Sequence, residues 1–384
     1  MGRSQPTMSL APAGFRKDGR AKHARATVNK TIPDILKANS RARRGVDAAE
    51  LIVEPPRAKQ TDEVQPGALT IRLHVTDTIT AASRLGEGAR GDNGRTAILN
   101  MASPLRPGGG VLNGATSQEE FLCVRTTLLP SLRDEFYRLP EIGAVYTPDV
   151  LVFRDGAGND LAKKDRFWVD VITAAMLRFP ETEALVEDDR ERTQDEQQDG
   201  NESVDEESEA REPVQTHAVY AEQKDRDMVV AKMRAVMRIL AAKGVRRVVL
   251  GAWGCGAYGN PVKEISQAWR KVLLEGESKN RRDRKGTGVQ LTPWGSVQEV
   301  VFAIKEPRMA SSFHQCFGDQ MVLFEPDQEE EDEGSSEDAS ATAELEEKIH
   351  DLEQQIQQAR TPQLQTGLQA VLENLKRQRA ASSS

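Results

Sequence analysis

The chain has 384 residues, 38% hydrophobic and 29% charged, with 52 Lys and Arg against 60 Asp and Glu for a formal net charge of -8. That length accommodates one large domain with appendages or two ordinary ones. Cys123, Cys255 and Cys316 lack paired spacing and no apolar run approaches the ~20 residues of a membrane span, which excludes a disulfide scaffold and a helical membrane protein. The start is charged from Arg3 onward and lacks the apolar stretch of a secretory signal, so the expected setting is intracellular, nuclear or cytoplasmic.

The charge is unevenly placed. Met1 to Glu50 holds eleven Lys and Arg against four Asp and Glu, whereas Glu181 to Glu212 holds fifteen acids against three bases. Residues 1–67 therefore read as a basic, partly disordered extension with one docking helix around Asp34 to Leu51. Such a segment either meets nucleic acid or another polyanion or is simply solvated.

Leu69-Thr-Ile-Arg-Leu-His-Val75 alternates apolar and polar residues at period two, the pattern of a half-buried strand, and starts the expected domain of residues 68–324. Further strands are expected at Thr96 to Leu99, Val150 to Phe153, Phe167 to Thr173, Arg247 to Leu250 and Val300 to Ile304. Between them, Gln223 to Lys243 repeats apolar residues at helical spacing and closes on Gly244, as an amphipathic helix with a glycine cap does. Strands alternating with such helices imply an α/β layered domain.

The acidic run of residues 187–212 and the basic run from Lys279 to Lys285 interrupt that pattern and read as surface insertions. An acidic linker, residues 325–340, leads to two apolar sets within 341–380. They are Leu345, Ile349, Leu352 and Ile356, then Leu364, Leu368, Val371 and Leu375 after Thr361-Pro362. This tail fits a helical hairpin or short coiled coil, which either self-associates or packs on its own domain.

Two strand-to-helix loops carry the chemistry. The first runs from Asn100 through Ser103, the triplet Gly108, Gly109 and Gly110, and Asn113 to Gln118, Glu119 and Glu120. Consecutive glycines let a backbone approach a ligand closely and turn N–H groups toward an anion. Adjacent carboxylates at the following helix start are ordinary first-turn capping charge when they stand alone. Capping leaves the glycines and Gln118 unexplained, and acid/base work on a bond beside a bound anion explains them.

The second loop, Gly251-Ala-Trp253-Gly254-Cys255-Gly256-Ala257-Tyr258-Gly259-Asn260-Pro261, has the same strand, glycine, helix order. Helix N-termini at such turns collect phosphate. The phosphate-loop pattern ending in Gly-Lys-Ser/Thr is absent, and this loop comes too late to open a dinucleotide fold. Two such loops on one sheet suit a ligand with a diphosphate and two sugars.

The glycine triplet, seven residues, then Gln118-Glu119-Glu120 resembles the signature of poly(ADP-ribose) glycohydrolases. Leu99 to Ser103, Tyr146 to Asp155 and Gly251 to Gly256 resemble the microbial-type branch, in order from about Val75 to Ile304. The resemblance implies a macrodomain-like three-layer α/β/α fold with a mixed sheet. It implies hydrolysis of ribose–ribose bonds without metal or other cofactor, acting on poly(ADP-ribose) and ADP-ribosylated proteins. A silent ADP-ribose reader and a scaffold organised by the tail are the competing classes.

By the same resemblance Glu120 protonates the leaving oxygen and then activates water, while Glu119 holds the distal ribose hydroxyls. Gln118 places the loop, and the Gly108 to Gly110 backbone meets the diphosphate. Asn100, Ser103 and Asn113 are polar candidates against ribose. Tyr258 lies against the distal ribose, and Gly254, Gly256, Ala257 and Gly259 offer backbone contacts. Tyr258 also has the ordinary reading of a core aromatic, and Asn113 that of a turn residue.

Overall fold

In β3 (Arg95–Met101) Ile98 turns to one face of the sheet while Ala97 and Leu99 turn to the other. β8 (Val245–Leu250) repeats this with Val249 opposed to Val248 and Leu250. Strands buried on both faces read as continuous apolar runs rather than alternating ones, which explains Ala97-Ile98-Leu99 and Val248-Val249-Leu250. The computed structural model describes residues 13–56, 69–87, 94–186, 216–275 and 294–324, with parts of 349–376.

The remaining strands of the main sheet are β1 (Glu50–Ile52), β2 (Thr70–His74), β4 (Ala144–Val152), β5 (Phe167–Ala174), β9 (Glu299–Ala303) and β10 (Val322–Phe324). Their order in this eight-stranded sheet is β1-β4-β5-β3-β8-β9-β2-β10. From β5 to β10 every pairing is parallel, and β4 runs antiparallel to both β5 and β1. The sheet is therefore mixed. β6 (Thr182–Val186) and β7 (Thr216–Tyr220) pair separately, in register from Thr182↔Tyr220 to Val186↔Thr216. They bracket the acidic run, which like the basic run and the linker lies outside the described residues.

Helices cover both faces. α4 (Thr78–Glu87) and α5 (Gln118–Cys123) share a core with Ile98, Val171, Val249 and Val301. On the other face α6 (Gln223–Ala242), α7 (Val262–Glu275) and α8 (Pro307–Phe317) pack on Leu99, Leu250 and Phe302. The expected α/β/α layering is present. No helix among the described residues is long and apolar enough to cross a membrane.

The N-terminal segment departs from expectation. Instead of one docking helix before a domain starting near Leu69, it forms α1 (Ala13–Ala26), α2 (Ile32–Ala38), α3 (Ser40–Asp47) and then edge strand β1. Asn39 breaks the expected helix: its backbone is extended, and its Oδ1 accepts hydrogen bonds from the N–H groups of Arg41 (3.1 Å) and Ala42 (3.2 Å), capping α3. Ile32, Ile35 and Ala42 bury against Leu151 and Phe153. Buried Arg154 donates to Thr27 Oγ1 (2.8 Å) and pairs with Asp160, not with neighbouring Asp155.

Gly45 of α3 lies so close to β4 that a Cβ would stand 2.4 Å from the Pro148 carbonyl oxygen. Gly45→Ala is expected to push the helix off the sheet and cost about 1–3 kcal/mol. Denaturant unfolding of the full chain measures this, and an unchanged midpoint would show that α3 is not part of the cooperative unit.

In the tail, Leu352, Leu368 and Val371 form one apolar cluster with Ile356, Leu372 and Leu375, and Lys376 pairs with Glu353 at 2.8 Å. The two apolar sets thus face each other. Phe179 of the domain joins the same cluster, so the tail packs on its own domain. Leu345, Thr361, Pro362 and Leu364 lie outside the described residues.

Candidate active site

The first loop leaves the sheet at the C-terminal end of β3. Pairing with β8 stops at Ile98↔Val249, while pairing with β5 continues to Met101↔Ala174. The backbone edge left open beyond Ile98 is closed by Gln118. Its Oε1 accepts from the Met101 N–H (2.9 Å) and its Nε2 donates to the Leu99 carbonyl (2.8 Å), as a residue of a parallel strand would. Gln118 thus anchors α5 to the strand end, and its amide is committed within the protein.

That anchor swings both glutamates inward, Glu119 at 1% exposure and Glu120 at 6%. Glu119 Oε2 accepts from the Ser103 N–H at 2.7 Å. Glu120 Oε1 accepts from the Gly110 N–H at 2.7 Å, and its Oε2 accepts from the Ser117 hydroxyl. The Gly109 N–H donates to Arg106 (3.3 Å). The glycine triplet therefore holds the Glu120 carboxylate through the Gly110 N–H. Two buried oxygens in this group, Glu119 Oε1 and Asn100 Oδ1, accept no hydrogen bond among the described residues. Asn100 Nδ2 donates to Thr173 Oγ1 at 3.2 Å.

Ser103 Oγ accepts from the Leu105 N–H (3.3 Å), and Asn113 is exposed in the short turn Val111–Asn113. α1 lies across this turn, with Arg20 Nε donating to the Gly114 carbonyl at 2.9 Å. A cavity lined by Arg106, Gly109, Leu112 and Asn113 opens beside it.

The second loop leaves the adjacent strand, β8, at the same sheet edge. Gly256 and Ala257 are exposed, and a Cβ on Gly256 would meet nothing within 4 Å. Among the described residues the N–H groups of Gly256, Ala257 and Tyr258 donate to no carbonyl, whereas Cys255, Gly259 and Asn260 close the turn onto Ala252, Gly256 and Gly254. Gly254 has no space for a side chain, since a Cβ would stand 2.5 Å from Asn260 Nδ2. Burial pushes the Tyr258 hydroxyl up, with the Ser103 side chain and Arg178 acting the other way.

Comparison with known proteins follows the same lines. The profile of the microbial-type PARG catalytic domain matches residues 24–155. Residues 24–155 are thus similar to the microbial-type PARG catalytic domain. The structure of poly(ADP-ribose) glycohydrolase from Thermomonospora curvata is similar with a TM-score of 0.53 at 25% identity, covering 78% of this chain and 100% of that one. The same protein bound to the inhibitor ADP-HPD gives a TM-score of 0.50 at 24% identity, covering 78% and 99%. Sequence comparison with curated proteins finds no match. The profile match starts inside α1, so the PARG resemblance extends over N-terminal helices that the motifs alone left outside it.

Three residues near the site were not singled out from the sequence. The Tyr137 hydroxyl is buried and without a partner among the described residues. Burial pushes its ionisation up, and the negative charge of nearby Glu119 adds to this. Asn260 pins the second loop: its Nδ2 donates to the Leu177 (2.9 Å) and Gly254 (3.0 Å) carbonyls, and its Oδ1 accepts from Tyr220 (2.8 Å). Phe179 stands edge-on to Tyr258 at 6.1 Å. Only Asn260, directly after the glycines, could have been found from its position.

Burial pushes the Glu119 carboxyl up to about 8, against the Ser103 N–H that favours the anion, and the charge of Glu120 pushes it further. The folded state therefore keeps a proton that the unfolded chain releases at an ordinary carboxylate pKa. Stability is expected to fall as pH rises from that ordinary range through about 8. Glu119→Gln should flatten this slope while still accepting from Ser103. Thermal melts of both proteins between about pH 5 and about pH 9 measure it; parallel curves would show that Glu119 ionises normally.

Proposed function

We propose that the chain hydrolyses the ribose–ribose O-glycosidic bonds of poly(ADP-ribose) and releases ADP-ribose, with ADP-ribosylated proteins as its natural context. The observation that carries this reading is the pair of buried glutamates held on a glycine loop, with Glu119 Oε1 and Asn100 Oδ1 left without a partner among the described residues. Two unpaired oxygens suit the two hydroxyls of a ribose diol, which can both donate and accept. The unengaged N–H groups of Gly256, Ala257 and Tyr258 supply donors for a diphosphate.

In this mechanism Glu120 delivers a proton to the leaving 2'-oxygen as the bond from that oxygen to the anomeric carbon breaks. The oxocarbenium-like centre is then attacked by water, whose proton returns to the Glu120 carboxylate. Charge developing on the sugar is stabilised by the neighbouring acid pair. Glu119 and Glu120 leave one turn of α5 side by side, so they do not flank a bond from opposite sides as paired glycosidase carboxylates do. One group serves as acid and then base. Ser117 and Gly110 aim it.

Incubation with purified polymer and separation of the products tests the reading. Free ADP-ribose is the expected product. Phosphoribosyl-AMP would mean diphosphate cleavage and a different chemistry, and ADP-ribose binding without any release would make the chain a reader.

A further inference from the structure

Among the described residues, the C-terminal helices meet the domain at Phe179 and at Gly259 of the second loop. Gly259 has a φ of 68°, and a Cβ on it would stand 2.7 Å from Val371 Cγ2. In return, a Cβ on Gly367 of the tail would stand 2.8 Å from Phe179 Cβ. Each side of the contact thus presents a glycine to the other's side chain. Leu368 and Val371 are buried there with Phe179, although the tail follows a long acidic linker and belongs to no element of the sheet.

Phe179 transmits this contact toward the site. Its φ of 54° lies in the left-handed region, which a phenylalanine occupies only where its surroundings impose it. Its N–H donates to the Tyr258 carbonyl at 3.0 Å and its ring stands edge-on to the Tyr258 ring. The Arg178 guanidinium lies 5.4 Å from one ring centroid and 5.5 Å from the other. The loop after β5 and the loop after β8 are thus joined beneath the tail and at the Tyr258 ring.

We propose that the C-terminal helix pair is a positioning element of the substrate site, with Val371 and Gly367 fixing Phe179 and Gly259 so that Tyr258 is held toward the first loop. This rests on the reading of Tyr258 as a ribose-facing residue. Releasing the tail lets the loop sample conformations that do not bind, and affinity drops by the fraction that remains competent. It also changes what the tail is for: its apolar stripe is spent on the domain that carries it.

The test uses the full chain with Val371→Asp or Gly367→Leu, two independent ways to open the contact. Amide hydrogen exchange in residues 177–180 and 254–260 is expected to rise in both, without ligand. ADP-ribose affinity, by calorimetry, is expected to weaken about tenfold, as for a loop competent about a tenth of the time. In a Tyr258→Ala background neither substitution should weaken binding further, because the tail acts through that ring. Exchange rising only within the tail, or unchanged affinity in both variants, would overturn the proposal. Loop exchange that rises in both variants, with a wild type that binds no ADP-ribose, would leave the tail contact standing, remove the functional reading and overturn the proposal.

Discussion

Gly109→Ala is expected to abolish detectable polymer hydrolysis and to weaken ADP-ribose binding by more than about tenfold, while the domain stays folded. The reason lies in two constraints at one residue. Gly109 has a φ of 56°, a conformation that costs an L-residue roughly 1–2 kcal/mol. A Cβ there would also stand 2.5 Å from Glu120 Oε1 and 2.9 Å from Glu119 Oε2. Both carboxylates must give way, and displacement of about 1 Å at a reacting group is enough to cost ~100-fold. Steady-state rates with polymer and calorimetry with ADP-ribose measure the two effects. A rate near wild type would mean that the carboxylates move freely and that the loop does not hold them.

The constraint at Gly109 also shows where the sequence could be read and where it could not. Glycines beside two glutamates announce a site, yet the identity of what the glycines accommodate is a three-dimensional matter. Here it is the glutamates themselves, through Gly110 and the Cβ space of Gly109. Gln118 was legible as a loop-placing residue, but its substitution for a missing strand partner appears only once β8 is seen to end its pairing at Val249. The central strands were legible because burial on both faces writes continuous apolar runs. β1 and β10, three residues each at the sheet edges, were not, since their pairing partners lie far along the chain.

The N-terminal segment was misjudged, and the docking of the tail was left open, for one shared physical reason. Basic charge describes the exposed face of a helix and a heptad its apolar stripe, and neither says which few small residues let it approach a domain. Ala42 and Gly45 perform that task for α3, and Gly367 performs it for the tail. Small residues carry no hydrophobic signal in a sequence, so docking of this kind is visible only as a close approach.

Glu120→Gln is the second large effect, and it separates chemistry from binding. The amide keeps an oxygen for the Gly110 N–H and offers an N–H to the Ser117 hydroxyl, so both present contacts of Glu120 have a counterpart. What it lacks is a transferable proton at neutral pH. Because one group serves as acid and then as base, the loss should reach the upper part of the ~10²- to 10⁴-fold range for positioned proton transfer. ADP-ribose affinity should stay within a few-fold of wild type. Release of free ADP-ribose from purified poly(ADP-ribose), followed for the wild type beside Glu120→Gln with calorimetry on the same two samples, tests this directly. Steady release by the wild type, loss in the variant and equal binding by both is the predicted result; a variant that releases ADP-ribose at the wild-type rate would contradict the assignment of Glu120 and the mechanism built on it.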